Sequence, residues 1–310
     1  MQLTDYRSKR SLRRLQQERM SDSTDIATIQ AKAAVLVEAL PYVRRFRGST
    51  FVVKYGGSFM DAPDPETRSR VARDIVFFNS VGIRVVVVHG GGKAITRTMN
   101  ERGIESTFID GLRVTDSRAI EIVDEVLNID VNGQVAAFVE ENDCEAERLP
   151  GKEVLQCEKL DSDPDLGFVG EITEVLVNSI DEALDKGKVP IISSTAADSS
   201  GVCHNVNADI AAAKIAIGLQ ARRLVYLSDV PGLLRDPDNP DTLISSLPVG
   251  DVEALRKAGI IAKGMLPKVN SAVEALQAGV SRVHLVDGRY PHSLLLEIFT
   301  DTGIGTEIAH

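Results

Sequence analysis

The chain has 310 residues, 43% hydrophobic and 26% charged, enough for one large globular domain or two lobes of roughly 150 residues each. Its 35 basic and 45 acidic side chains leave a net charge of −10. That balance argues against nucleic-acid binding while allowing a local basic pocket for a small anion. No apolar run reaches the roughly 18 residues of a membrane span, so no membrane partner is expected.

Residues 1–20 carry six basic and two acidic groups but no apolar core, which reads as a basic arm rather than a secretory signal. Residues 24–47 read as an amphipathic helix, with Ile26, Ile29, Ala33, Leu36, Val37, Leu40, Val43 and Phe46 at spacings of three and four. Pro41 should kink it. Strand and helix then take turns. Strands are expected at Thr50–Lys54 and Arg84–His89, with helices at Glu66–Ser80 and from Ala94 to Arg102. Val85–Val88 has the unbroken apolar character of a strand buried on both faces.

Residues 116–142 read as helical, Glu145–Leu149 and Val154–Lys159 as a hairpin, and Asp161–Asp165 as a loop. Beyond them come a helix at Asn178–Lys186, a strand at Val189–Ser193, a helix at Asn207–Leu219 and a strand at Arg223–Leu227. Helices at Asp251–Ala258 and Pro267–Ala278, a strand at Arg282–Val286 and a helix at His292–Phe299 complete the pattern. The alternation predicts an α/β fold: a three-layer αβα sandwich around a mainly parallel central sheet. Cys144, Cys157 and Cys203 show neither metal spacing nor an even framework, and free thiols in a reducing cytoplasm are expected.

Lys54 ends a strand just before Gly56 and Gly57. Glycine lets backbone amides approach an anion, and lysine adds a compact charge. On that motif alone a solvated lysine at an ordinary turn is the simpler reading. Gly90, Gly91 and Gly92 follow the buried strand and enter a helix, which has the logic of anion binding at a helix N-terminus. They match neither the Walker A pattern nor the dinucleotide fingerprint. His89 reads as a catalytic base or, more simply, as a packed residue. Arg113 offers a bidentate grip on a carboxylate, or a surface ion pair. Asn207 is placed to cap a helix and Asp209 to favour its dipole, although Asp209 could also position two ammonium groups. Lys268 falls in the first turn of a helix, where a cation is unfavourable unless an anion sits beside it.

In order and spacing, the segments Phe51–Gly57, Val88–Gly92, Gly111–Asp116, Asn205–Asp209, Gly264–Lys268, Val286–Arg289 and Gly303–Thr306 resemble the amino acid kinase family. The similarity runs from Ala31 to Ile308 and points to the family's long, arginine-sensitive form. It implies transfer of the ATP γ-phosphoryl group to the side-chain carboxylate of N-acetyl-L-glutamate in arginine biosynthesis, with Mg2+ carried by the nucleotide. By the same resemblance Lys54 and Lys268 stabilise the migrating group and Asp209 organises both. Gly91, Gly92, Arg113 and Asn205 bind the acylated amino acid. Gly56, Gly57, Ser228, Asp229, Gly232, Leu233, Gly264 and Met265 lie on the nucleotide side.

The resemblance further implies an acyl-substrate lobe over 48–220 and an ATP lobe over 221–310, preceded by the arm and helix of 1–47. It also implies an arginine site at His284, Glu297 and Gly303, a homohexamer built as a trimer of dimers, and a surface for a PII-type regulator. Lys263 stands where the family usually has glycine, residues 147–153 replace a common hairpin segment, and Ser58 and Phe59 replace smaller residues. Those departures leave two other readings: a kinase for a related N-acyl acidic amino acid such as aminoadipate, or a non-catalytic arginine-binding subunit.

Overall fold

The computed structural model describes residues 26–56, 65–261 and 263–310. The basic arm of 1–20, Gly57, Ser58 and Phe59 lie outside them. Helix α1 (Ile26–Phe46) contains Pro41, and Val35, Leu36, Val37 and Leu40 on it are exposed. Residues up to Arg45 form one unit and Phe46–His310 a second.

The second unit opens with β1 (Thr50–Tyr55), α2 (Pro65–Ser80), β2 (Arg84–His89) and α3 (Gly92–Glu101). A short hairpin follows, β3 (Phe108–Ile109) and β4 (Leu112–Arg113). Helix α4 (Ser117–Glu125), a π-helical turn (Val126–Val131) and α5 (Asn132–Glu140) make up the long helical stretch. Then come β5 (Ala146–Leu149), the single turn α6 (Gly151–Val154), β6 (Leu155–Lys159), β7 (Gly170–Val175) and α7 (Asn178–Asp185). Strands β8 (Val189–Ser193), β9 (Thr195–Ala197) and β10 (Cys203–Asn205) precede α8 (Ala208–Gly218) and β11 (Arg223–Ser228). The chain finishes with β12 (Ser246–Pro248), α9 (Val252–Lys257), α10 (Leu266–Gln277), β13 (Arg282–Asp287), α11 (Ser293–Ile298) and β14 (Thr306–Ala309).

The main sheet runs β12-β14-β13-β11-β1-β2-β8-β5, and every neighbouring pair is parallel except β13 with β14. Period-two alternation sends successive side chains of β1 to opposite faces. Val52 joins one core with Ala211, Ala212, Val269 and Ala272, so α8 and α10 cover that face, together with α7 through Ile180 and Leu184. Phe51 points the other way and meets Phe46 and Phe78 edge-to-face, with ring centroids 5.3 and 5.8 Å away. Helix α2 lies on that side and packs against α5 and α11. These are the three expected layers.

Two expectations need correction. The predicted hairpin of 145–149 and 154–159 does not form. Instead β5 is the parallel edge of the main sheet, and β6 belongs to a separate sheet ordered β10-β9-β6-β7. Gly151 makes the change of direction possible, since a Cβ there would lie 2.1 Å from the Ser193 carbonyl oxygen and 2.3 Å from that of Thr195. The helix expected from Ala94 begins earlier, at Gly92, with Gly91 as its cap.

Candidate active site

Strand order reverses at β1: β2, β8 and β5 extend to one side, β11 and β13 to the other. In open α/β sheets the crevice beyond the carboxyl ends of strands at such a switch point is where ligands gather. Lys54, near the end of β1, is on the α8 face by alternation with Val52. There it meets Asp209, in the first turn of α8. Lys54 Nζ lies 2.8 Å from Asp209 Oδ1, and Lys268 Nζ donates to Oδ2 at 2.9 Å. Two ammonium groups thus flank opposite oxygens of one carboxylate.

The local sequence holds this trio in place. Asn207 caps α8, its Oδ1 accepting from the Asp209 and Ile210 amides at 2.8 and 3.2 Å. The Tyr226 hydroxyl donates to the Asp209 carbonyl at 3.2 Å, and its ring lies 5.0 Å from Lys268 Nζ. Burial alone would raise the Asp209 pKa, but Lys54 and Lys268 outweigh it and hold the carboxyl well below the usual range. Burial pulls Lys268 down, with Asp209 opposing. The cation that looked misplaced in the first turn of α10 has its anion in Asp209.

On the neighbouring strand His89 is fully buried. Its Nδ1 pairs with the Gly90 carbonyl at 3.2 Å and its Nε2 with Asn132 Nδ2 at 3.1 Å. Burial brings its pKa down to about 4. Both nitrogens are engaged, so His89 is a neutral packing residue. Beyond it Gly90, Gly91, Gly92, Arg113 and Asn205 line a cavity of about 140 Å3. A Cβ on Gly91 would lie 2.6 Å from the Leu127 side chain, whereas one on Gly92 would meet nothing within 4 Å. Arg113 is buried and spends its guanidinium on the Gly92 carbonyl and Thr96 Oγ1, both at 2.9 Å, and on Ser106 Oγ at 2.6 Å. Asn205 Nδ2 donates to Thr115 Oγ1 at 3.3 Å.

Gly56 directly follows β1 at the switch point; on its other side the half-buried Ser228 ends β11 and the exposed Asp229 follows it. Gly232 has φ +132° and backs onto Thr306 Oγ1, which accepts from the Leu233 amide at 2.9 Å. The Leu233 side chain belongs to the core. Gly264 is exposed, with open space where a Cβ would stand, and Met265 packs partly on the core. Among the described residues no three His, Cys, Asp or Glu side chains cluster to hold a metal ion, and no helix is long and apolar enough to cross a membrane.

A second polar cluster lies at the β13–α11 end. His284 Nδ1 and Glu297 Oε1 are 2.7 Å apart, and Glu297 Oε2 accepts from the Ile304 and Gly305 amides at 2.8 and 2.9 Å. Gly303, at φ +62°, leaves no room for a Cβ, which would lie 2.6 Å from Glu297 Oε2. Burial raises the Glu297 pKa, but the His284 contact and the two amides bring the balance below the ordinary value.

Motif reading missed the polar network beneath the glycine turn. Asn128 takes hydrogen bonds from Ser193 and Thr195, and donates to Asp124, which Lys152 pairs at 2.8 Å. Arg148 donates to Asn132 Oδ1 and to the Asn128 and Ile129 carbonyls. The unusual 147–153 segment is therefore tied into the helical stretch next to the cavity. One signal was legible: Asn128 and Asn132, four residues apart on a buried helical stripe, need buried partners.

The amino acid kinase family pattern matches residues 49–287. An acetylglutamate kinase of Syntrophomonas wolfei is 43% identical, with 92% of this chain and 99% of that protein aligned. One from Synechocystis sp. is 44% identical over 93% and 98% of the two chains. Among solved structures, N-acetylglutamate synthase from Neisseria gonorrhoeae, complexed with coenzyme A and N-acetylglutamate, superposes with a TM-score of 0.79 at 29% identity. It covers 90% of this chain, which spans only 63% of the synthase. Carbamate kinase from Giardia lamblia bound to AMP-PNP, at 18% identity and a TM-score of 0.62, shares the fold.

Proposed function

The chain belongs to the amino acid kinase family, and from that membership and the geometry of the site we infer that it is an enzyme moving the γ-phosphoryl group of ATP to the side-chain carboxylate of N-acetyl-L-glutamate. One observation carries the mechanism: Lys54 and Lys268 converge on Asp209 at the sheet's switch point. A side-chain carboxylate is ionised at neutral pH, so the nucleophile needs no base. The difficulty is bringing two anions together. Fixed ammonium groups and oriented amides offset that repulsion and align the transfer. Asp209 keeps the two lysines apart and aimed, which makes it a positioning residue.

In this reading Gly91, Gly92, Arg113 and Asn205 hold the acylated amino acid. Arg113 exchanges some of its bonds to α3 for the substrate's α-carboxylate. Gly56, Ser228, Asp229, Gly232, Leu233, Gly264 and Met265 border the nucleotide, Gly232 and Leu233 by shaping the turn from within. Residues 48–220 act as the acyl-substrate lobe and 221–310 as the ATP lobe. Mg2+ would sit on the nucleotide phosphates, neutralising charge without a protein carboxylate cage.

Arginine inhibition and a cytoplasmic homohexamer belong to the same reading. The engagement of His284, Glu297 and the tight Gly303 turn in one cluster supports the first, and the exposed apolar residues of α1 support the second. A PII-type regulator remains part of the proposal on resemblance alone. The decisive assay couples ADP release to N-acetyl-L-glutamate, with and without arginine. Wild-type turnover with at least about a hundredfold loss in Lys54→Ala is expected; no turnover by the wild type would refute the reading.

A further inference from the structure

Two cavities meet beside the glycine turn. The smaller, about 140 Å3, carries Arg113, Asn205 and the glycine backbone. The larger, about 410 Å3, extends from it between α8, α10 and β7, past Leu160, Ile172, Ile210 and Pro267. Leu112, Val169, Val206 and Asn207 line both. Lys54, Asp209 and Lys268 line neither cavity, and the larger one is lined by none of the residues assigned above to the acylated amino acid or the nucleotide.

An N-acylated acidic amino acid has three ends to place. Its reacting carboxylate must face Lys54 and Lys268, and its α-carboxylate needs the guanidinium donor of Arg113. The remaining acyl tail is apolar; of the apolar residues that line the small cavity, Leu112, Val169 and Val206 also line the larger one, while Ile95, Phe108 and Ala208 do not. Those three lie on the boundary shared by both cavities. Resting on the function proposed above, we propose that the larger cavity is an acyl-chain channel, and that the enzyme phosphorylates N-propionyl- and N-butyryl-L-glutamate as well as the acetyl compound. The reaction is unchanged: the bond between the γ-phosphorus and ADP breaks, a bond from the side-chain carboxylate oxygen to that phosphorus forms, and ADP departs. The far end of the channel sets the limit. Lys214 Nζ and Glu274 Oε1 pair there at 2.7 Å, and a longer apolar tail would dry this ion pair without replacing its contacts with water.

The test measures ADP release by the full chain with N-acetyl-, N-propionyl- and N-butyryl-L-glutamate. Each buried methylene is worth about fourfold, and the two added in the butyryl compound about sixteenfold, so in a channel that accepts the tail butyryl kcat/KM should be no less than about a tenth of the acetyl value. A larger fall overturns the proposal. Leu160, half-buried and outside the small cavity, provides the control. Leu160→Trp should fill the channel, cutting butyryl kcat/KM at least tenfold while acetyl kcat/KM stays within about twofold. An equal effect on both substrates, or none on either, overturns it. Should the tryptophan variant fail to fold, Leu160→Phe gives the same contrast in smaller measure. A wild type inactive on the acetyl compound itself fails differently, refuting the parent function and this channel together.

Discussion

Replacing Asp209 by asparagine keeps the shape of the first turn of α8 but removes the charge between two buried ammonium groups. At an effective dielectric of about 20, each unit pair near 4 Å is worth about 4 kcal/mol before desolvation. The lysines lie 2.8 and 2.9 Å from the Asp209 oxygens. Removing one member of a buried ion pair has a net cost of about 3–5 kcal/mol. The variant should therefore lose stability on that scale in urea at pH 7. Its kcat should fall about a hundred- to thousandfold in the ADP-release assay, because the lysines no longer hold their geometry. The pH dependence gives an independent check. The folded-state pKa of Asp209 is depressed, so its charge stabilises above the ordinary carboxylate value of 3.8. That contribution is lost as pH falls from 3.8 towards the lower folded value, and the gap between variant and wild type should narrow there. A variant with kcat within threefold of wild type and an unchanged urea midpoint at pH 7 would refute the role assigned to the trio.

His89→Gln should keep at least about a tenth of wild-type kcat, because the imidazole is buried with both nitrogens engaged; a loss beyond a hundredfold would restore it as a base. Its pKa is depressed from 6.5 to about 4, so the unfolded chain binds the extra proton first. Wild type should then lose on the order of 3 kcal/mol as pH falls from 6.5 towards 4, a loss absent from the glutamine variant in urea titrations. Arg113→Lys cannot reproduce the planar fork, and is expected to raise the KM for the acylated amino acid about ten- to a hundredfold, with the ATP KM little changed in steady-state assays. Gly151→Ala places a methyl 2.1 Å from a backbone oxygen, and should cost about 1–3 kcal/mol in chemical denaturation; a midpoint equal to wild type would mean that the α6 turn can move away from Ser193 and Thr195.

Some of the fold could be read locally. Val85–Val88 is apolar on both sides because helices cover both faces of the sheet, and such a run is visible in four residues. The cap at Asn207 was equally legible, because its hydrogen bonds reach only to residues 209 and 210. The short pieces were not. Strands β7, β9, β10, β12 and β14 have three to six residues and mixed burial, so their periodicity is too brief to register. The false hairpin has the same cause: β5 and β6 look like partners over a few residues, and only the room under Ser193 and Thr195 sends them to different sheets.

The candidate site divides in the same way. Sequence alone determined the chemical inventory: lysines next to glycines, a capped helix beginning with Asp209, and an arginine before a helix. Those are properties of neighbouring residues, set by backbone freedom and the local field of a helix end. Tertiary structure alone decided that Lys54 and Lys268 share Asp209, that Arg113 is held against α3, and that His89 is sealed. Contacts between residues 54 and 209, or 113 and 92, depend on parallel crossovers that place strand ends side by side at a reversal in strand order. No short window of sequence carries that distance, because it is set by how whole layers bury their apolar faces against one another.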